Sequence, residues 1–183
     1  LLLGENGRLA GHYALEWNQD GPVAEGGQAV VDPAHRGRGL LGKMKDAAIA
    51  EAKKLGLAGL YSDAVAVHTR TQQYDVEHGS HLTCADLGIS PKSEQFRGIA
   101  AEQPQRVSCM LYFQWLAPPE PRIVHVPAAH AEIVAAIYKN LVCPATFADG
   151  REPNGHGTLT VALDAEAGAA FVRAGEIGAD TPA

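Results

Sequence analysis

The sequence predicts an α/β fold, and three observations carry that prediction. Asn6-Gly7 sits between two short apolar runs, and this dipeptide closes tight β-hairpins because both of its positions tolerate positive φ. A β-forming run over Val23–Val31 leads through a glycine-punctuated turn into an amphipathic helix. Pro118, Pro119 and Pro121 then break the chain, after which a strand, a helix and a hairpin begin again.

Composition narrows the class. The 183 residues are 46% hydrophobic and 20% charged, as expected of a globular protein and not of a disordered one. The apolar runs are too short to cross a bilayer, so no membrane partner is expected. Fifteen Lys and Arg stand against 21 Asp and Glu, and a net charge of −6 is a poor match for a nucleic-acid backbone. Cys84, Cys109 and Cys143 are odd in number and lack metal-ligand spacing, which points to a reduced, cytoplasmic protein. The chain opens on Leu1-Leu2-Leu3-Gly4 with no initiator Met, basic n-region or cleavage site. It reads as starting inside a strand, so the expectation is a longer protein whose upstream residues complete the same fold.

In chain order, residues 1–3 and 8–17 form the first hairpin, and residues 18–22 are a loop of turn formers. Val23–Val31 is the third strand, where Gly26-Gly27 suggests a bulge or splay. Residues 40–55 are the clearest helix. Leu40, Leu41, Met44, Ala47, Ala48, Ala52 and Leu55 share one face, while Lys43, Lys45, Asp46, Glu51, Lys53 and Lys54 fill the other. Gly56 fits the C-cap, with Lys53 and Lys54 in the last turn where the helix dipole favours cations. Residues 57–67 read as a buried strand, 69–78 as a short polar helix stopped by Gly79, and 81–86 as a further strand. Residues 88–105 read as loop, alone or with a short helix, 107–116 as a strand, and 118–122 as a linker. Beyond the linker, 123–126 is a strand, 128–141 an amphipathic helix, 143–157 a loop, and 158–163 with 170–173 a hairpin. The expected organisation is a domain over 1–117 and a partial second α/β unit over 123–183.

The most informative stretch is Val31-Asp32-Pro33-Ala34-His35-Arg36-Gly37-Arg38-Gly39-Leu40-Leu41-Gly42-Lys43-Met44. A strand that turns into a helix N-terminus leaves several backbone N–H groups unpaired and sums the helix dipole there, while Arg36 and Arg38 add charge. A phosphate or pyrophosphate is the expected ligand. Gly37, Gly39 and Gly42 reproduce the dinucleotide-binding spacing, but residues 57–61 supply no acidic residue for a ribose. Gly37 to Lys43 matches a P-loop as far as the lysine, but Met44 stands where a Mg²⁺-binding hydroxyl belongs.

With Val31, Pro33, Arg36 and Gly39 in register, the stretch resembles the Gcn5-related N-acetyltransferase (GNAT) signature, Arg/Gln-x-x-Gly-x-Gly/Ala after a Val-x-Pro strand end; Leu41 replaces the usual final Gly or Ala. The order of elements over residues 1 to about 116 resembles the family too. The resemblance implies a mixed, mostly antiparallel sheet flanked by helices, whose first strand and helices would lie upstream of Leu1. It also implies an acyl-CoA co-substrate, most simply acetyl-CoA, and direct attack of an amine on the thioester. By it, the backbone of Ala29, Val30 and Val31 would bind the pantetheine arm. The N–H groups of Arg36, Gly37, Arg38, Gly39, Leu40 and Leu41 would hold the pyrophosphate, and the strands on either side of the helix would splay to admit the thioester. The second unit is a candidate GNAT-like half.

Such a reaction needs a base for the amine, a stabiliser for the oxyanion and an acid for the departing thiolate. Glu25, eleven residues before Arg36, is the candidate base, as in histone-type members of the family. The family's frequent acid is a tyrosine four residues before a Gly-Phe pair. Tyr74 precedes Gly79 by five, Asp75 occupies the fourth place, and Ser80 replaces the Phe. His68, at the end of the strand over 57–67, is a third catalytic candidate, suited to shuttling protons near neutral pH. Asp63, inside an apolar run, reads as a buried carboxylate. His68, His78 and His81 lack metal-binding spacing, so no metal is expected. No Gly-x-Ser-x-Gly is present to supply a serine nucleophile. The acceptor class is a small-molecule amine or a protein lysine, with a homodimer or a fused partner domain as the expected assembly. The alternatives are a catalytically inactive CoA-binding regulatory or scaffold module, and a general nucleotide-phosphate binder.

Overall fold

The computed structural model describes residues 2–5, 7–17, 21–92, 103–150, 154–165 and 168–179. Two compact units emerge, Leu1–Pro121 with Ile137–Pro144, and Arg122–Ala136 with Ala145–Ala183. The first holds a six-stranded sheet. Strand β1 (Leu2–Glu5) pairs antiparallel with β2 (Arg8–Glu16), and Gly7 takes φ 75° as the hairpin requires; Asn6 lies outside the described residues. Next come β3 (Val23–Val31), helix α1 (Leu40–Lys54), β4 (Gly59–Val65), helix α2 (Arg70–Glu77), β5 (His81–Ser90) and β6 (Val107–Trp115). The sheet order is β1-β2-β3-β4-β6-β5, and β3 with β4 is its one parallel pair. This is the mixed, mostly antiparallel sheet with flanking helices that the family resemblance implies. Strand β5 runs four residues further than expected, into the stretch read as loop; residues 93–102 of that stretch are not described.

Helix α1 packs its small residues onto one face of the sheet. Ala52 meets Ala24, Leu57 and Leu60, while Met44 and Ala48 meet Tyr13. Small side chains let helix and sheet approach closely, and every residue of these two clusters is at least 95% buried. The helix ends in a Schellman motif: Leu57 N–H donates to Ala52 O at 3.1 Å and Gly56 N–H to Lys53 O at 3.1 Å, with Gly56 at φ 75°. One residue departs from the amphipathic reading. Lys45, expected among the solvent-facing charges, is buried.

The second unit contains β7 (Arg122–Val126) paired parallel with β8 (Ala145–Asp149), and the antiparallel hairpin of β9 (Thr158–Asp164) and β10 (Ala169–Glu176). Helix α3 (Ala131–Asn140) lies between β7 and β8 in the chain. Strand β8 corrects the expectation of loop over 143–157. Its five residues, bracketed by Pro144 and Gly150, are too few and too poor in β-branched residues to declare a strand. Residues 137–144, assigned from sequence to the second unit, cluster with the first.

Candidate active site

The site begins where β3 and β4 part. Their register holds for three pairs only, Val23 with Gly59, Ala24 with Leu60 and Glu25 with Tyr61. Past Glu25, β3 keeps pairing with β2 as far as Val31, while β4 keeps pairing with β6 as far as Val65. The two strands therefore form a fork that closes at Glu25 and Tyr61 and opens toward the N-terminus of α1. The irregularity in β3 lies at Gln28 and Ala29, which oppose Tyr13 alone, and not at Gly26-Gly27. Gln28 carries the strain with φ 49°, and its carbonyl is 2.9 Å from His12 Nδ1. Along the open arm Gln28, Ala29 and Val30 are exposed.

At the wide end of the fork the chain turns. Asp32 Oδ1 accepts from Ala34 N–H at 2.8 Å, which caps a short 3₁₀ turn over Pro33–His35. Arg36 Nε then donates to Val31 O at 3.2 Å, locking the turn against the strand end and occupying a carbonyl assigned from sequence to the cofactor. Gly37 and Gly39 adopt φ 75° and 69°, a left-handed backbone open to glycine at little steric penalty. Gly39 is the N-cap of α1, and no side chain bonds into the helix there. The first-turn N–H groups thus face outward beside Arg36 and Arg38, an arrangement suited to an anion. Leu40 and Leu41 are half-buried and anchor the helix start.

At the closed end the two sheet faces differ. Alternation puts Ala24, Gly26 and Leu60 toward α1, and Glu25 and Tyr61 on the opposite face. Glu16 is Glu25's cross-strand partner, and Asp63 follows two residues after Tyr61, so three carboxylates share that face. Partial burial raises the Glu25 pKa above the usual carboxylate range; Tyr61, whose hydroxyl donates to it, lowers it, and the charges of Asp63 and Glu16 raise it further. Asp63 itself is exposed, which corrects the expectation of a buried carboxylate: the strand alternates, and only its neighbours Ser62 and Ala64 face the core.

On the α1 face a narrow polar recess reaches the fork. It is lined by Tyr13, Gly26, Lys45, Leu60, Tyr61, Ser62, Ser80 and Gln114 and has room for about one water molecule. Lys45 Nζ donates to Asp75 Oδ1, joining α1 to α2 in a buried ion pair, and Asp75 is fully buried. Sequence reasoning missed this pair. The signal was Asp75's place four residues before Gly79, which turns it inward, whereas Lys45 sat among charges of ordinary surface spacing.

Two candidate residues are placed away from the fork's closed end. Tyr74 OH donates to Gly42 O at 3.1 Å and approaches Asp46 Oδ1 at 3.4 Å, while its ring stacks on His78 with centroids 3.7 Å apart. Burial and the Asp46 carboxylate push its pKa up to about 12. The one-residue offset from the family pattern thus turns Tyr74 to the first turn of α1. His68 lies beyond the end of β4, and Val65 is already about 13 Å along the strand from Tyr61 at ~3.3 Å per residue. Its Nδ1 is buried without a hydrogen-bond partner, and burial, with Arg70 nearby, lowers its pKa. The structure does not bring His68 to Glu25.

Among the described residues no three His, Cys, Asp or Glu side chains gather as a metal site, and no helix is long and apolar enough to cross a membrane.

Residues 1–74 match the model of the Acetyltransferase (GNAT) family. No curated protein sequence matches the chain. Solved structures share the fold. An N-acetyltransferase from Staphylococcus aureus Mu50 is 18% identical, with 63% of this chain and 66% of that chain covered and a TM-score of 0.52. The ribosomal-protein-S18-alanine N-acetyltransferase from Escherichia coli is 17% identical, with 63% and 67% covered and a TM-score of 0.53. A GNAT family acetyltransferase from Elizabethkingia anophelis with acetyl-CoA bound is 16% identical, with 62% and 73% covered and a TM-score of 0.52. The chain spans just under two thirds of the first of these.

Proposed function

We propose that this chain, whose residues 1–74 carry a GNAT-family domain, is an acyl-CoA-dependent N-acyltransferase that moves an acetyl group from acetyl-CoA to an amine. The observation that carries the reading is the fork: a strand pair that parts at Glu25 and opens onto an uncapped helix N-terminus flanked by two arginines. The pyrophosphate sits on the N–H groups from Arg36 to Leu41, with Arg36 and Arg38 balancing its charge. The pantetheine arm lies along Ala29, Val30 and Val31, on the edge of β3 that β4 leaves open. The thioester then rests at the closed end of the fork.

Glu25 removes the ammonium proton of the acceptor. Partial burial and the neighbouring charges of Asp63 and Glu16 hold its carboxyl above the usual carboxylate range, which brings it closer to an amine. The three carboxylates on that face favour a cationic acceptor, a small-molecule amine or a protein lysine. Freed of that proton, the amine attacks the acyl carbon and loses a second proton as the amide forms, while the C–S bond breaks and the departing thiolate gains a proton to leave as thiol. Thiol release from acetyl-CoA, followed over a panel of small amines and lysine peptides, tests the proposal. Glu25→Gln is expected to lower kcat by about 10²- to 10⁴-fold while acetyl-CoA affinity stays within twofold. Equal turnover in the two proteins would remove Glu25 from the mechanism.

A further inference from the structure

We propose that Lys45, held by Asp75, is the group that faces the sulfur of bound acyl-CoA and protonates the departing thiolate. The inference rests on the N-acyltransferase reading above. Its starting point is the two-sidedness of the fork. Glu25 and the acceptor face lie on one side of the sheet, and the recess containing Lys45 reaches the same closed end from the other. A tetrahedral intermediate carries its incoming nitrogen and outgoing sulfur on different bonds. A base on one face and a cation on the other match that division.

The tyrosine hydroxyls around Lys45 supply no acid for the sulfur. Tyr61 donates to Glu25, and Tyr74 donates to the first turn of α1. Burial, with the charges of Tyr74 and Glu25, pushes the Tyr13 pKa up to about 12, too weak an acid for a thiolate. Lys45 is surrounded by groups that accept or tolerate its charge. Asp75 and the Tyr74 ring, 5.1 Å from Nζ, face it from α2, and Tyr13, Tyr61, Ser62, Ser80 and Gln114 line the recess it shares. Burial brings its ammonium down to about 8, near the range of an alkyl thiol. Asp75 acts as a positioning residue: one carboxylate oxygen holds Nζ, and the other is buried without a hydrogen-bond partner.

The step balances. Glu25 passes the ammonium proton on to solvent, the amine nitrogen bonds to the acyl carbon, and the second proton that nitrogen must lose to become an amide passes to Glu25. The C–S bond breaks with its electron pair on sulfur, and sulfur takes a proton from Lys45 Nζ directly or through the one water the recess admits. Neutral Lys45 keeps an N–H bond to Asp75, and exchange with solvent restores both Lys45 and Glu25.

The test needs no acceptor. Coenzyme A is titrated into the wild-type protein by calorimetry, and the ionisation of the bound thiol is followed by thiolate ultraviolet absorbance. The expected result is a bound thiol pKa at least about one unit below that of free coenzyme A, a tenfold gain in thiolate at a given pH. In Lys45→Met/Asp75→Asn, which removes both charges so that neither is left unpaired, the pKa returns to the free value. Coenzyme A that binds the wild type with an unshifted or raised thiol pKa overturns the role of Lys45 and leaves the N-acyltransferase reading standing. No binding overturns both. Should the double variant fail to bind, wild-type Lys45 is read by its ¹³Cε shift: movement on ionisation of the bound thiol supports the proposal, and an invariant shift overturns it.

Discussion

Asp75→Asn isolates the ion pair between α1 and α2. The substitution keeps the shape of the side chain and removes the charge that compensates a buried Lys45 ammonium. Breaking such a pair from one side costs about 3–5 kcal/mol. Lys45 has one escape, which is to fold as a neutral amine. Burial has already brought its pKa in the fold down to about 8, so at pH 7 shedding the proton there costs only between about 1 and 2 kcal/mol. The two routes bracket the loss between about 1 and 5 kcal/mol, and the second fixes a pH signature. With Lys45 neutral in the folded variant and charged in the unfolded chain, the unfolded state binds one more proton, so stability rises with pH. The variant should climb by about 1.4 kcal/mol per unit from pH 7 upward. In the wild type Lys45 stays protonated up to about 8, so its contribution is flat below that pH and the same climb begins only above it. Urea unfolding followed by tryptophan fluorescence measures this, since Trp17 and Trp115 both belong to the first unit. A loss under about 1 kcal/mol at pH 7, or parallel pH dependences in the two proteins between pH 6.5 and 8, would refute the reasoning.

Other outcomes follow from the same geometry. A base works deprotonated, so turnover should fall as pH drops through the raised Glu25 pKa, in a limb above the ordinary value of 4.5. Asp63→Asn should move that limb to lower pH by removing a charge that raises it, and Tyr61→Phe to higher pH by removing the bond that lowers it; pH–rate profiles of the three proteins check both directions. Gly26→Ala would place a Cβ 2.5 Å from Tyr13 OH on a buried ring, so overpacking should destabilise the fold by about 1–3 kcal/mol in thermal or urea unfolding.

The elements that sequence reading placed well are those with local causes. The α1 helix declares itself by periodicity, and its stop by Gly56, whose positive φ completes the Schellman motif. The turn over Arg36–Gly39 is written in glycines that only a left-handed backbone requires. What stayed hidden depends on tertiary neighbours. Lys45 has the spacing of a surface charge and becomes buried because α2, thirty residues later, delivers Asp75 against it. Asp63 lies in an apolar run yet alternates outward, because β4 buries one face under α1 and leaves the other uncovered at that position. The fork was expected from the family resemblance, but its apex at Glu25 and Tyr61 is a matter of register, which no residue type announces. Tyr74 carried the right chemistry one position out of register, and one position on a helix is about 100° of rotation.

The most direct test of the account is calorimetric titration of acetyl-CoA into the wild-type chain, Arg36→Ala and Gly39→Glu. The account predicts binding on the order of −8 kcal/mol, a micromolar Kd, for the wild type. It predicts marked weakening in Arg36→Ala, and loss in Gly39→Glu, where a carboxylate enters the anion site on a backbone at φ 69°. A wild type that does not bind acetyl-CoA, or a Gly39→Glu protein that binds it equally well, would contradict the placement of the cofactor at this turn.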